Sequence, residues 1–319
     1  MSGPVVLLGA SGYLGQAMER EILRRGWPCQ SLARARMDYT KFGVMLEYLR
    51  SIKPAFVINA AGYTGKPNVD ACELARADTL LGNTLFPQML AHVCEVTNTP
   101  WAQISSGCIY NGAKIVEVGA ERIEADLTRP EVRDLLERRP EAARGFTEAD
   151  APNFSFRSPP CSFYSGTKAL GEEVLADAGQ CYIWRPRIPF DEFDHPRNYL
   201  TKLQRYSKVY DNVNSISHRA DFARACLDLW ERRAPFGIYN VTNPGWVTTR
   251  QVVARIEAVL KPARTFEFWA SDSEFYQQAA RTPRSNCILD VSKLLATGVR
   301  MRPVEEALED ALRTWKAGN

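Results

Sequence analysis

A short apolar run that ends in three glycines at three-residue spacing constrains this chain more than any other feature. Val5-Val6-Leu7-Leu8 reads as a buried strand, and Gly9-Ala10-Ser11-Gly12-Tyr13-Leu14-Gly15 follows it directly. Gln16 to Arg25 then has helical character and is closed by Gly26. A strand, a glycine turn and a helix N-terminus form a cradle for phosphate. The glycines let the backbone approach a pyrophosphate, and free N–H groups and the helix dipole favour its charge. The spacing is GxxGxxG rather than the usual GxGxxG, so a tight turn without a ligand is the alternative. Gly9, Ser11, Gly12, Tyr13, Leu14 and Gly15 are the candidate cofactor-binding residues of this turn.

The pattern continues as strands alternating with helices. A second strand is expected at Cys29–Leu32, a helix over 41–52 that Pro54 ends, and a third strand at Phe56–Ile58. Helical character returns over 71–96. Strands are expected again at Trp101–Ser105 and Cys181–Trp184, with a helix near Tyr164–Ala178 before the latter. This order predicts an α/β fold, a doubly wound parallel (Rossmann) sheet with a smaller mixed α/β substrate-binding lobe. At 319 residues the chain exceeds one usual hydrophobic core. Residues 1–186 are expected to form the nucleotide-binding part, to which 215–243 returns. Residues 187–214, without clear periodicity, and 244–319 are expected to form the second lobe. The 113–145 stretch is rich in Glu and Arg and reads as a charged insertion, its helical character broken by Pro130 and Pro140. A solvated surface segment, a lid and a subunit contact are all compatible with it.

The loop after the second strand points to the cofactor. An NAD site carries an acid about 20 residues beyond the glycine turn, whereas arginine there accommodates a 2′-phosphate. This chain has Arg34 and Arg36, followed by Asp38. NADPH is therefore the expected cofactor; two solvated surface arginines are the alternative. Asp38 either caps the next helix or faces the adenine. Asn59-Ala60-Ala61-Gly62 ends the third strand with small residues that leave room for a flat cofactor, and Asn83 can bridge neighbouring loops.

Composition excludes several classes. The net charge of +3 is too small for a nucleic-acid surface, so any anion must be held by local groups. No apolar run is long enough to span a membrane. Eight cysteines without a CxxC pair point to free thiols in the cytoplasm, and three scattered histidines give no zinc-ligand spacing.

Tyr164 and Lys168 form a YxxxK pair on one helix face. An ammonium nearby lowers a phenol's pKa, so Tyr164 can exchange a proton with a carbonyl or hydroxyl. Lys168 can also hold a nicotinamide ribose, and Ser106 at a strand end can bond the same substrate oxygen. Alone, an exposed helix face explains YxxxK equally well; its order after the glycine turn and Ser106 favours catalysis.

These residues carry a resemblance. GASGYLG, Asn59–Gly62, Ser106 and Tyr164-Ser165-Gly166-Thr167-Lys168 resemble the extended short-chain dehydrogenase/reductases. Ile104–Tyr110 and Arg284–Asp290 are similar to the dTDP-4-dehydrorhamnose reductase group. Asn59–Asp70, Pro152-Asn153-Phe154, Ser162–Ser165, Pro196–Lys202 and Thr242–Gly245 are closer still to the plant nucleotide-rhamnose synthase epimerase/reductases. The resemblance implies NADPH-dependent reduction of a nucleotide-linked 4-keto-6-deoxyhexose, in some members after epimerisation at C3 and C5. It assigns Tyr164 as proton donor to the C4 oxygen, Ser106 as its hydrogen-bond partner and Lys168 as the tuner of its pKa. It makes Cys108 and Lys202 the acid/base pair of epimerisation, with a small buried hydrophobe and a surface lysine as the alternatives. A cysteine serves as base only where positive charge stabilises its thiolate. Arg284, Arg197 and Arg187 are candidates for the diphosphate, and Thr64, Gly65, Asn68 and Asn198 for the sugar pocket. The expected partner is the nucleotide-sugar substrate, with a homodimer left open. A non-catalytic NADP-binding subunit, like the regulatory subunit of methionine adenosyltransferase, is the competing expectation.

Overall fold

The computed structural model describes residues 3–117 and 119–318. Its centre is a six-stranded, all-parallel sheet. The strands are β1 (Val5–Leu8), β2 (Cys29–Leu32), β3 (Phe56–Asn59), β4 (Trp101–Ile104), β5 (Cys181–Arg185) and β6 (Gly237–Asn240), in the order β6-β5-β4-β3-β1-β2. The helices that matter here are α1 (Tyr13–Arg24), α2 (Phe42–Ile52), α3 (Phe86–Val96), α4 (Phe163–Glu173), α5 (Tyr199–Arg205), α6 (Arg219–Glu231), α7 (Thr249–Leu260) and α8 (Val304–Arg313).

Strand β1 shows why the sheet is covered on both faces. All four of its residues are buried. Val5 and Leu7 pack with Met18 and Ile22 of α1 and Phe222 and Leu229 of α6. Val6 and Leu8 point the other way, to Met45 and Leu49 of α2 and Leu90 and Val93 of α3. This period-2 alternation between two apolar layers is what a sheet sandwiched by helices requires. The chain leaves β1 towards β2 on one side and returns to β3 on the other. The crevice beyond the carboxyl ends of β1 and β3 is thus the topological switch point, where open α/β sheets bind ligands. A separate core joins Phe190, Leu200 and Leu203 to Val252 and Ile256 of α7 and Leu308 and Leu312 of α8.

Four segments differ from the sequence reading. Residues 71–96 are not one helix. They form short helices at Ala71–Leu74 and Arg76–Leu80, a π turn at Leu81–Leu85, and then α3. The 113–145 stretch, Val118 lying outside the described residues, is a folded module and not a solvated excursion. Strands Ala113–Glu117 and Ala120–Glu124 pair antiparallel, Ala143–Arg144 adds a third, and Pro130 opens the helix Pro130–Arg138 from its first turn. Proline is well suited there, because that N–H has no intrahelical partner. Ala113, Ile115, Leu127, Val132 and Leu136 bury themselves against Val213 and Ile288. Finally, the irregular 187–214 region contains α5, and α4 ends at Glu173 rather than 178.

Candidate active site

The glycine turn is built by close backbone approach. Gly9 has φ +74°, and a Cβ there would sit 2.6 Å from the Ala61 nitrogen. A Cβ at Gly15 would sit 2.1 Å from the Gly9 carbonyl oxygen. Gly9 therefore lets β1 and the Asn59-Ala60-Ala61 strand end meet, and Gly15 lets α1 pack over the turn. The N-terminus of α1, at Gly12, has no side-chain cap and no acid in its first turn. It presents bare N–H groups and a positive helix end, the donor set that a pyrophosphate needs. Ser11 and Gly12 are exposed at the rim; Leu14 is half-buried against the α1–α6 core. Arg34 and Arg36 are exposed just past β2. Asp38 accepts from the Thr40 hydroxyl at 2.5 Å and from its N–H at 3.3 Å, bracing the turn into α2. These residues fit a dinucleotide carrying a 2′-phosphate.

Tyr13 does something the sequence did not announce. Its hydroxyl donates to Asp191 at 2.8 Å, and its ring stacks on His195 at 4.7 Å between centroids. Arg219 lies over the same ring at 4.1 Å, donates to the Tyr13 carbonyl at 3.0 Å and pairs with Asp191 at 2.8 Å. Burial and Asp191 push the Tyr13 phenol well above its ordinary pKa. Tyr13 is thus a protonated rivet between the glycine turn and the loop that precedes α5. Asp191, His195 and Arg219 come from distant segments, so no local spacing marks them.

The strand ends hold the remaining groups. Asn59 is buried, donates to Gln103 at 2.7 Å and accepts from the Ala61 N–H at 3.0 Å. Asn83, in the π turn, accepts from the Tyr63 N–H and donates to the Tyr63 carbonyl, both at 2.9 Å, and to Thr167 at 3.2 Å. It bridges the β3 loop to α4, so its side chain positions the pocket wall. π turns recur at functional sites. A Cβ on Gly62 would stand 3.1 Å from Asn83 Oδ1 and 3.4 Å from Lys168 Nζ, so Gly62 keeps that corner open.

Ser162 caps α4, accepting from the Ser165 N–H at 3.1 Å, and so sets where Tyr164 and Lys168 fall. Tyr164 and Lys168 are both buried. Ser106 lies two residues beyond β4, caps the turn Gly107–Ile109 and accepts from the Cys108 N–H at 3.1 Å. Burial, reinforced by Cys108, raises the Tyr164 pKa above its ordinary value, while Ser106 and Arg197 act the other way. Burial is the first cause of the Tyr164 shift. Lys168 Nζ donates to the Ile104 carbonyl at 3.4 Å, and burial lowers its pKa to about 8. Beneath it, Glu172 accepts from Ser105 at 2.5 Å and pairs with Arg185, which also donates to Tyr110 at 3.1 Å. This buried network ties α4 to β4 and β5, and the sequence reading missed it.

Cys108 is half-buried and accepts from Arg187 Nη1 at 3.4 Å. The turn that carries it, Gly107–Ile109, packs against α4, the helix of Tyr164 and Lys168. Arg187 itself is 1% exposed and held by Asn214 and Ser285, so it does not reach out to a diphosphate. Lys202 is half-buried on α5, and its pKa is lowered by burial and then by Arg197 and Arg284. Arg197 donates to the Gly65 carbonyl at 2.7 Å, and Arg284 makes a two-pronged pair with Asp70, both contacts 2.7 Å. Asn198 spends its side chain capping α5 and bonding Asp191 and Phe193, so it positions Lys202. Asn68 accepts from the Asp70 N–H at 2.8 Å. Thr64 is exposed at the rim, and Gly65, at φ +67°, turns the same loop. A separate cleft of about 1190 Å³ lies between the 126–140 segment and Trp246 and Trp269, and none of these groups lines it.

A doubly wound parallel sheet with a bare helix N-terminus at its switch point defines a dinucleotide-binding fold. Residues 3–317 match the model of the RmlD substrate binding domain. The chain is 31% identical over 261 residues to the bifunctional dTDP-4-dehydrorhamnose 3,5-epimerase/dTDP-4-dehydrorhamnose reductase of Arabidopsis thaliana, covering 82% of this chain and 77% of that one. It is 30% identical over 95% of its length to a trifunctional UDP-glucose 4,6-dehydratase/UDP-4-keto-6-deoxy-D-glucose 3,5-epimerase/UDP-4-keto-L-rhamnose-reductase of the same plant, and spans 41% of that protein. Among solved structures, the L780 UDP-rhamnose synthase of Acanthamoeba polyphaga mimivirus aligns with TM-score 0.80 at 21% identity, over 98% and 99% of the two chains. The dTDP-4-dehydrorhamnose reductase of Bacillus anthracis, solved with NADP, gives 0.75 at 18% over 99% of each chain. The chain belongs to the RmlD substrate binding domain family. Among the described residues no helix is long and apolar enough to cross a membrane.

Proposed function

We propose that this protein is an NADPH-dependent reductase of a nucleotide-linked 4-keto-6-deoxyhexose, and that it first epimerises the sugar at C3 and C5. The observation that carries the proposal is the turn after β4, where Ser106 accepts from the Cys108 N–H at 3.1 Å and which packs against α4, the helix that carries the buried Tyr164 and Lys168. The names of the plant relatives support the same substrate class.

In this reading Ser106 and Tyr164 hold the C4 oxygen. The C4 ketone acidifies the protons on C3 and C5, since the charge left behind delocalises as an enolate. Cys108 takes a proton from one face and Lys202 returns one to the other; its lowered pKa brings its exchange towards neutral pH. NADPH, when bound, supplies hydride to C4. Tyr164 donates the proton to the C4 oxygen, and its raised pKa keeps that proton in place until the oxygen becomes basic. Lys168 holds the nicotinamide ribose, and Arg197 and Arg284 take the diphosphate, Arg284 by exchanging Asp70 for phosphate oxygens.

The test is NADPH oxidation in the presence of dTDP- or UDP-4-keto-6-deoxyglucose. Turnover on either supports the proposal. NADPH binding with no turnover on any 4-keto sugar nucleotide would favour the non-catalytic subunit. A homodimer belongs to the proposal, because Leu74, Leu81 and Leu85 leave large apolar side chains exposed within the 74–85 segment; a monomer by light scattering would refute that part. A cytoplasmic location completes it, and the eight cysteines are all free, as a reducing compartment keeps them.

A further inference from the structure

Three arginines are buried, Arg185, Arg187 and Arg219. Two of them have carboxylate partners: Arg185 pairs with Glu172 at 2.5 Å and Arg219 with Asp191 at 2.8 Å. Arg187 has none among the described residues. Its Nε donates to Asn214 Oδ1 at 3.1 Å, and its Nη2 to the same oxygen at 2.5 Å and to the Ser285 carbonyl at 2.6 Å. Its Nη1 donates to Ser285 Oγ at 3.0 Å and to Cys108 Sγ at 3.4 Å. A guanidinium withdrawn from water without an anion is costly, and neutral acceptors do not cancel its charge. Of its five contacts, only Cys108 Sγ can ionise.

We infer that Arg187 is the counter-charge of a Cys108 thiolate, a positioning residue that makes Cys108 the resident base of epimerisation rather than a ligand of the substrate's diphosphate. The inference rests on the proposed epimerase reading for its use, but the ion pair itself stands on the geometry alone. The cradle is rigid. Asn214 Oδ1 also accepts from the Cys287 N–H at 3.1 Å, and Asn214 Nδ2 donates to Asn286 at 3.1 Å. The Ser285-Asn286-Cys287 segment thus holds Arg187 beside the Cys108 turn. Ser106 Oγ braces the same turn by accepting from the Cys108 N–H at 3.1 Å. When Cys108 takes a proton from C3 or C5, the C–H electron pair passes to the enolate and the charge moves from sulfur to sugar oxygen. Arg187 then returns to neutral partners only, which favours giving the proton back up and resetting the base.

The experiment is site-resolved alkylation with iodoacetamide, followed by peptide mass analysis, at pH 6.5 and 8.5. A thiolate already formed at pH 6.5 gains little reactivity on raising the pH, whereas an ordinary thiol gains more than about tenfold. In the unmutated protein the Cys108 rate should change by less than about threefold between the two pH values. In Arg187→Gln it should climb more than about tenfold, and solvent-deuterium exchange into the keto-sugar should fall at least tenfold further than NADPH oxidation does. A steep rise in the unmutated protein overturns the inference. So does an Arg187→Gln profile as flat as the original, or a variant whose main defect is a raised KM for the sugar nucleotide. If Arg187→Gln does not fold, the profile of the unmutated protein still decides. A flat Cys108 profile in a protein that exchanges no deuterium would uphold the ion pair and refute the epimerase reading instead.

Discussion

Replacing Lys168 with methionine should make the cofactor-free protein more stable and inactive. Lys168 is 5% exposed, and burial lowers its pKa from 10.5 to about 8 even though Glu172 pulls the other way. That drop is worth roughly 3 kcal/mol, at about 1.36 kcal/mol per unit, by which folding disfavours the charged amine. Below pH 8 both states carry the proton and the penalty is complete. From about pH 8 upwards the folded protein releases its proton while the unfolded chain keeps it until 10.5, so stability recovers across that window. Methionine fills the space of the lysine stem without a charge. Its loss of the 3.4 Å bond to Ile104 costs about 1 kcal/mol, leaving a net gain of about 2 kcal/mol at pH 7. With an unfolding entropy of about 0.7 kcal/mol/K for 319 residues, the melting temperature should rise about 3 °C. The assay is thermal unfolding of both proteins without NADPH at pH 7 and pH 10. The variant should be the more stable at pH 7 and no more stable at pH 10. A less stable variant at pH 7, or an undiminished gain at pH 10, would refute the reasoning.

Tyr164→Phe keeps the ring and removes the proton, so hydride transfer should fall by about 10²–10⁴-fold with NADPH binding retained; near-normal turnover by stopped flow would remove Tyr164 from the chemistry. Arg34→Ala and Arg36→Ala should each weaken NADPH by about 1.5–3 kcal/mol if they bond the 2′-phosphate, and leave NADH untouched; equal losses for both cofactors in titration calorimetry would make them general surface charges.

What the sequence discloses is what is local. The turn from Val5 to Gly15 is readable because its glycines serve contacts within a few residues or with the adjacent strand end. Ser106, Tyr164 and Lys168 are readable because a strand end and one helical repeat fix them. Arg185 and Arg187 show where this stops. They sit two residues apart at the end of β5, and nothing in the sequence separates them. One meets Glu172 and the other meets Cys108 and Ser285, partners brought in by α4, the β4 turn and a segment almost a hundred residues later. The strands and core of the 113–145 module were not legible for a related reason. Its apolar positions are few and spread among charges, and its core closes only when Val213 and Ile288 arrive. Helix α5 escaped notice because seven residues span too few turns to show a period.

The most direct test of the account is a single incubation in heavy water of the protein, unlabelled NADPH and dTDP- or UDP-4-keto-6-deoxyglucose, with the product examined by NMR and mass spectrometry. The account predicts a 6-deoxyhexose with deuterium at C3 and C5, placed there by the Cys108 and Lys202 pair, and protium at C4 from the cofactor. A reduced sugar with no deuterium at C3 or C5, or no reduced sugar at all, would contradict it.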